Sequence, residues 1–160
     1  MTQGKPSLTD FSPYKKDEND LLQILASAES ASEHPLALAI LEAAKAKGLS
    51  LTNPSSFTAV SGKGLSAVVN GQTVLIGNEA WMRDNHIELP ELSALTAFSD
   101  QGKTVLLASI DGAYAGLLAI ADQLKPDSAS TVKQLHKMGL KVAMITGDNR
   151  RTANAIAAQA

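Results

Sequence analysis

Residues 57–78 read FTAVSGKGLSAVVNGQTVLIGN and set the architecture. Three short β-prone runs stand out in them: Phe57 to Val60, Leu65 to Val69 and Thr73 to Ile76. Asn70-Gly71 joins the last two, and an Asn-Gly pair between apolar runs is a strong signal for a two-residue hairpin turn, because both turn positions need positive φ. The glycines of Gly62-Lys63-Gly64 fit a turn or bulge, or a place where backbone approaches a flat ring or a phosphate closely. A dinucleotide fingerprint is excluded, because that motif must open a helix and Gly62-Lys63-Gly64-Leu65-Ser66-Ala67 instead enters a strand. The stretch predicts an antiparallel meander.

Downstream, Asn78 caps a predicted helix over residues 78–86, and Pro90 starts another over 90–100. Thr104 to Ile110 and Ala113 to Ala121 read as two more strands, turned by Asp111-Gly112. Gly102-Lys103-Thr104 resembles the end of a phosphate-binding loop, but Ala97 stands where that loop needs glycine and a strand follows. Upstream, Leu21, Leu22, Ile24 and Leu25 give a helical stripe over 18–29, broken at Ser30-Ala31-Ser32-Glu33-His34. Pro35 suits the first turn of a second helix, whose Leu36, Ala39, Ile40 and Ala43 share one face and which Gly48 stops. Residues 1–14 are polar, carry Pro6 and Pro13, and read as a flank or tether.

The pattern changes at Asp122. Pro126 opens a predicted helix with Ala129, Val132, Leu135 and Met138 on one face, closed by Gly139. Leu140 to Ile145 is a continuous apolar run, expected to be a strand buried on both faces of a parallel sheet. Thr146-Gly147-Asp148 would be the loop at its carboxyl end, and Arg150 to Ala160 the next helix. A lone parallel strand cannot satisfy its own backbone, so this piece reads as half of a larger unit.

Composition narrows the function. The 160 residues are 44% hydrophobic, 19% charged and 4% aromatic, with net charge −2. Without a basic block, no nucleic-acid partner is expected. No apolar run approaches the roughly 20 residues needed to cross a bilayer, so the chain is expected to be soluble and intracellular. There is no cysteine, and the three histidines, His34, His86 and His136, are scattered, so no metal site is expected. His34 sits where an imidazole can face a ligand or simply occupy a surface turn. Ile76-Gly77-Asn78 can turn the chain and cap a helix. Thr146-Gly147-Asp148 suits a phosphate with Mg²⁺, or is a polar loop.

The order and spacing of these motifs resemble the heavy-metal-transporting P-type ATPases over nearly the whole chain. The motifs are Glu29-Ser30-Ala31-Ser32-Glu33-His34-Pro35-Leu36-Ala37, Gly62-Lys63-Gly64, Gly77-Asn78, Asp122-Gln123-Leu124-Lys125-Pro126-Asp127 and Thr146-Gly147-Asp148. The Glu-His-Pro form is more typical of the copper branch. The resemblance implies an α/β chain in which an α+β nucleotide-binding domain, with an antiparallel sheet flanked by helices, is inserted in a truncated Rossmann-like phosphorylation domain of the haloacid-dehalogenase type. Residues 1–14 would be the N-terminal flank of the phosphorylation domain, 15–120 the nucleotide domain and 121–160 the partial phosphorylation domain.

It further implies that Glu29 and His34 contact adenine, that Gly62 and Gly64 let the nucleotide lie against backbone, and that Gly77 and Asn78 complete the pocket wall. Asp122 would mark the hinge, and Thr146, Gly147 and Asp148 the phosphate and Mg²⁺ neighbourhood. The expected ligand is ATP, with Mg²⁺ used by the parent protein. The expected partners are the rest of that parent: its membrane domain, the remaining phosphorylation domain and the actuator domain. Copper would be transported by the parent, a translocase of the cell membrane with this domain in the cytoplasm, and not bound here. The family's Asp-Lys-Thr-Gly-Thr motif, whose Asp accepts the γ-phosphate, does not occur in the chain, nor does the later Gly-Asp-Gly-containing Mg²⁺ loop. Met1 to Pro6 resembles the segment just after the phosphorylated Asp. The 160 residues are therefore expected to bind nucleotide without catalytic turnover. The alternatives are a soluble haloacid-dehalogenase-like phosphatase with residues 15–120 as its cap, a nucleotide domain from a zinc/cadmium-transporting P-type ATPase, or a non-catalytic nucleotide sensor or interaction domain.

Overall fold

The computed structural model describes residues 2–91, 93–125, 127–145, 154 and 157. Its centre is the predicted meander. Strands β1 (Thr2–Pro13), β2 (Ser56–Val60), β3 (Gly64–Val69), β4 (Gln72–Gly77), β5 (Thr104–Ile110) and β6 (Ala113–Leu124) form one six-stranded sheet in the order β1-β6-β5-β4-β3-β2. Every pairing is antiparallel. Both anticipated hairpins form at positive φ: Asn70 at 52° with Gly71 at 79°, and Asp111 at 50° with Gly112 at 80°. The Asp111 carboxylate also accepts from the Thr73 backbone N–H at 2.8 Å, which ties the second turn to β4.

Helices cover both faces. Helix α1 (Glu18–Glu29) and helix α2 (Pro35–Ala46) bring Leu21, Leu22, Leu25 and Ile40 against Leu65, Ala67, Val69, Val74, Ile76, Leu118 and Ile120. On the opposite face, α3 (Glu79–Asp84) and α4 (Ser93–Asp100) place Met82, Trp81, Leu95 and Phe98 over Leu75, Leu107 and Leu117. Consecutive residues of β4, β5 and β6 thus bury alternately into two cores, which explains why these strands read as unbroken apolar runs. Helix α5 (Ser128–Lys137) follows β6.

Three expectations are corrected. Residues 1–14, read as a flank, supply β1, which pairs with β6 along its length and packs Leu8 and Phe11 into the first core. As an edge strand it tolerates Pro6 and Pro13, because only one side of it must supply ladder hydrogen bonds. The helix expected from Pro90 begins at Ser93. Leu140 to Ile145 forms no strand, and Leu140, Val142 and Ile145 are exposed. The run finds no neighbouring strand among the described residues, and an unpaired extended backbone gains nothing over solvated coil. Continuous apolarity signals two covered faces rather than parallel pairing, as β4 to β6 demonstrate. Pro126, Thr146, Gly147 and Asp148 lie outside the described residues; of the helix expected over 150–160, the described Asn154 and Ala157 are helical.

Beyond the β1–β6 ladder, the Asp122 carboxylate accepts from the backbone N–H groups of Gly4 and Lys5 at 3.1 and 3.2 Å. The Lys103 ammonium reaches Asp10 at 2.6 Å and lies 4.9 Å from the Phe98 ring centroid. At Gly116 a β-carbon would sit 2.8 Å from the Ser12 carbonyl oxygen and 3.2 Å from the Pro13 Cα. Gly116→Ala should therefore push β1 off β6 and cost about 1–3 kcal/mol. A denaturant midpoint unchanged from wild type would show that the β1 contact contributes nothing.

Candidate functional site

A cavity of about 390 Å³ opens at one end of the sheet, where β3 begins, β4 ends and β5 begins. This lies within the ordinary range for small-ligand sites. Its walls come from the end of α1, the start of α2, the β2–β3 turn, the β4–α3 junction and the first residues of β5. Glu29, His34, Gly62, Gly64, Gly77 and Asn78, scattered along the sequence from α1 to the start of α3, all line it. Asp122 does not; its carboxylate is engaged by β1. A second hollow of about 480 Å³, bordered by Lys16, Asp17, Asp20 and Asn70, contains none of the motif residues.

Glu29 is the final residue of α1 and only 4% exposed. Burial pushes its carboxyl up to about 7, against the pull of a hydrogen bond from the Ser32 side chain, which favours the ionised form. The Ser32 Oγ also accepts from the His34 backbone N–H at 3.3 Å. His34 is the N-cap of α2: its Nδ1 accepts from the Leu36 N–H at 3.2 Å, and Pro35 occupies the first helical turn. With Nδ1 an acceptor, the neutral ring carries its proton on Nε2, which has no protein partner among the described residues and is free to donate.

The opposite wall depends on Asn78. Its Oδ1 caps α3 by accepting from Trp81 N–H at 2.9 Å, while its Nδ2 donates to the Gly62 carbonyl at 2.8 Å. The Asn78 backbone N–H donates to the Lys63 carbonyl at 2.9 Å. One side chain thus locks the Ser61–Gly64 turn to the β4–α3 junction. Asn78 spends its amide on this lock and acts as a positioning residue.

The glycines divide into two kinds. Gly64 and Gly77 are direct partners across β3 and β4. A β-carbon on Gly64 would strike the Ile76 carbonyl, come within 2.6 Å of the Gly77 Cα and 2.8 Å of the Trp81 ring. One on Gly77 would strike the Lys63 carbonyl and come within 2.7 Å of the same ring. Trp81 is fixed there by its Nε1 donating to the Leu65 carbonyl at 3.0 Å. Gly62 differs: its φ is +73° and a β-carbon would meet nothing within 4 Å. Gly64 and Gly77 make close strand packing feasible, and Gly62 makes the turn.

Sequence reasoning missed Trp81 and the β5 segment Thr104–Leu106, which lines the cavity. Trp81, the chain's single tryptophan three residues after a helix cap, was a legible signal; Thr104 to Leu106 carry none, being ordinary strand residues. The two lysines that raised phosphate-loop questions are committed elsewhere, Lys63 to Asp84 at 2.5 Å and Lys103 to Asp10. Among the described residues there is no metal-ligating cluster and no helix long and apolar enough to cross a membrane.

The chain matches the family model for haloacid dehalogenase-like hydrolases over residues 1–160. It is 44% identical over 161 residues to a copper-exporting P-type ATPase of Staphylococcus aureus and 42% identical over 158 residues to that of Staphylococcus saprophyticus. The alignments cover 99% and 98% of this chain, which spans about a fifth of the length of these curated relatives. Among solved structures, a zinc-transporting PIB-type ATPase in its E2.Pi state superposes with TM-score 0.88 at 33% identity, over 99% of this chain and 26% of that one. The N-domain of HMA6, a copper-transporting P-type ATPase, superposes with TM-score 0.63 at 27% identity, over 74% of this chain and all of that one.

Gly64→Ala should destabilise the whole domain by roughly 3 kcal/mol, because rigid backbone and a fixed indole must move. Gly62→Ala should cost only about 1 kcal/mol, the strain of a left-handed non-glycine residue. Thermal melts of the two variants compare them directly. Equal, small shifts would show that the Gly64–Gly77 contact is not tight.

Proposed function

We propose, from the premise that this chain belongs to the haloacid dehalogenase-like hydrolase family, that residues 1–160 are the ATP-binding portion of a Cu⁺-exporting P-type ATPase. The observation that carries this reading is the gathering of Glu29, His34, Gly62, Gly64, Gly77 and Asn78 around one cavity of about 390 Å³. A base would enter between the His34 edge and the Ser61–Gly64 turn, with Glu29 at the back addressing its polar edge. Leu36, Val105 and Leu106 supply apolar surface for the ring.

The fit is to a base rather than to phosphates. Lys63, ion-paired at the surface with Asp84, is the single lysine among the described residues that line the cavity, so the ribose and phosphates would extend out of it. In the parent protein they would then be reached by a phosphate-accepting Asp and Mg²⁺ supplied outside the described residues. The hinge role of Asp122 and the phosphate and Mg²⁺ role of Thr146, Gly147 and Asp148 belong to this same proposal, as does the placement of the domain on the cytoplasmic side of a membrane protein. Copper is favoured over zinc by the Glu-His-Pro sequence and by the 44% identity to copper exporters. A phosphatase reading is disfavoured by Asp10, the carboxylate such an enzyme would need near the N-terminus. It lies mid-strand in β1, tied to Lys103 and Thr9.

Without a phosphate cradle, affinity should be modest, with a dissociation constant on the order of 0.1–1 mM, or about −4 to −5.5 kcal/mol. Calorimetric titrations with ATP, ADP and GTP should show ATP and ADP alike and GTP weaker. Equal binding of ATP and GTP would remove the adenine assignment. His34→Ala would lose a helix cap as well as a ligand contact, so His34→Asn, which keeps a capping oxygen, is the cleaner variant. It should melt as wild type does yet bind ATP about five- to thirtyfold more weakly, a loss of roughly 1–2 kcal/mol.

A further inference from the structure

The buried end of α1 raises the question of how a carboxyl can recognise adenine. The edge of adenine bearing the exocyclic amine presents an N–H donor beside a ring-nitrogen acceptor. An ionised carboxylate is an acceptor only. It satisfies the amine and sets its second oxygen against the ring nitrogen's lone pair. A neutral carboxyl offers a carbonyl oxygen to the amine and an O–H to the ring nitrogen, so both positions are matched. For guanine, whose ring N–H and amine are adjacent donors, the ionised form is the better partner.

The surroundings of Glu29 favour the neutral form. Its carboxyl is enclosed, and no cation among the described residues is ion-paired with it. The titratable and charged groups that share its cavity are His34 from the start of α2 and Lys63 from the β2–β3 turn, and Lys63 is held by Asp84. The β5 wall contributes only Thr104, Val105 and Leu106, and the β4 end only Ile76, Gly77 and Asn78, none of them charged. Among the described residues, Ser32 is the side chain hydrogen-bonded to the carboxyl, and a hydroxyl can adapt to either form.

We propose that Glu29 recognises adenine as its neutral acid, so that base binding takes up one proton from solvent wherever the free protein holds Glu29 ionised. This rests on the adenine-site reading above and adds a pH dependence and a source of base selectivity to it. The proton comes from solvent hydronium, whose O–H bond breaks to leave water as the O–H on one Glu29 oxygen forms, and no other covalent bond changes. In the free protein burial already pushes this carboxyl up to about 7, so the change falls within the physiological range. Binding therefore weakens as pH rises, and the preference for adenine over guanine narrows.

Adenosine is the probe, because nucleotide phosphates titrate in the same range. Its affinity is measured by amide-shift titration at about pH 6 and about pH 8, for the wild type and for Glu29→Gln. With a midpoint of about 7 the neutral fraction falls about tenfold between these conditions, and wild-type affinity should fall by about the same factor. The carboxamide introduced by Glu29→Gln is a permanent donor–acceptor pair, so this variant should lose that pH dependence. Wild-type affinity that stays constant or rises with pH, or a variant that keeps the wild-type pH dependence, would overturn the proton uptake and leave the site standing. Absence of adenosine binding to either protein at the lower pH would remove the site itself, and the proposal with it.

Discussion

Gly64 and Gly77 face each other across β3 and β4 with no room for a β-carbon on either, and the site's geometry follows from that contact. The ring of Trp81 closes over the pair, and its indole N–H is bound to the Leu65 carbonyl. This sets where α3 starts, and so where Asn78 stands. Asn78 in turn holds the Gly62 carbonyl and caps α3. The wall of the cavity is therefore a chain of dependencies that begins in backbone packing. Glycine is required at Gly64 and Gly77 by what lies beneath them, and at Gly62 by the turn itself.

The facing wall is built by a different device. Two helix termini meet there: the C-terminal end of α1 with Glu29, and the N-terminal end of α2 with His34. Ser32 bridges them, bonded to the carboxyl of one and to the backbone of the other. The negative end of a helix dipole opposes ionisation of a carboxylate, which acts in the same direction as burial. Because its folded-state value lies above the ordinary 4.5, Glu29 contributes stability that is complete below that pH and is lost as pH rises through about 7. A residue that costs stability at neutral pH is the kind retained for binding rather than for the core.

Much of this was legible because local chemistry left few choices. Asn70-Gly71 and Asp111-Gly112 need positive φ and turn as expected; Asn78 caps α3, and His34-Pro35 opens α2. The β1 strand was not legible, since its prolines and polar residues suit an edge strand and a tether equally. Leu140 to Ile145 has a strand's composition but no partner among the described residues, and partnership is not a local property. Within the site, the motif residues converge as a group, whereas Thr104 to Leu106 enter through the β4–β5 register, with Gly77 opposite Leu107. Long-range register of that kind leaves no mark on a short stretch of sequence.

The central claim is that one cavity between two helix ends and two strand-end turns receives an adenine base. The most direct measurement is residue-resolved amide-shift mapping of the ¹⁵N-labelled chain during titration with ATP. The account predicts that the largest shifts fall on residues 29–37, 61–65, 76–78 and 104–106, while β1 and the hollow beside Lys16 and Asp20 stay unchanged. Shifts centred on that second hollow, or spread evenly over the surface, would contradict it.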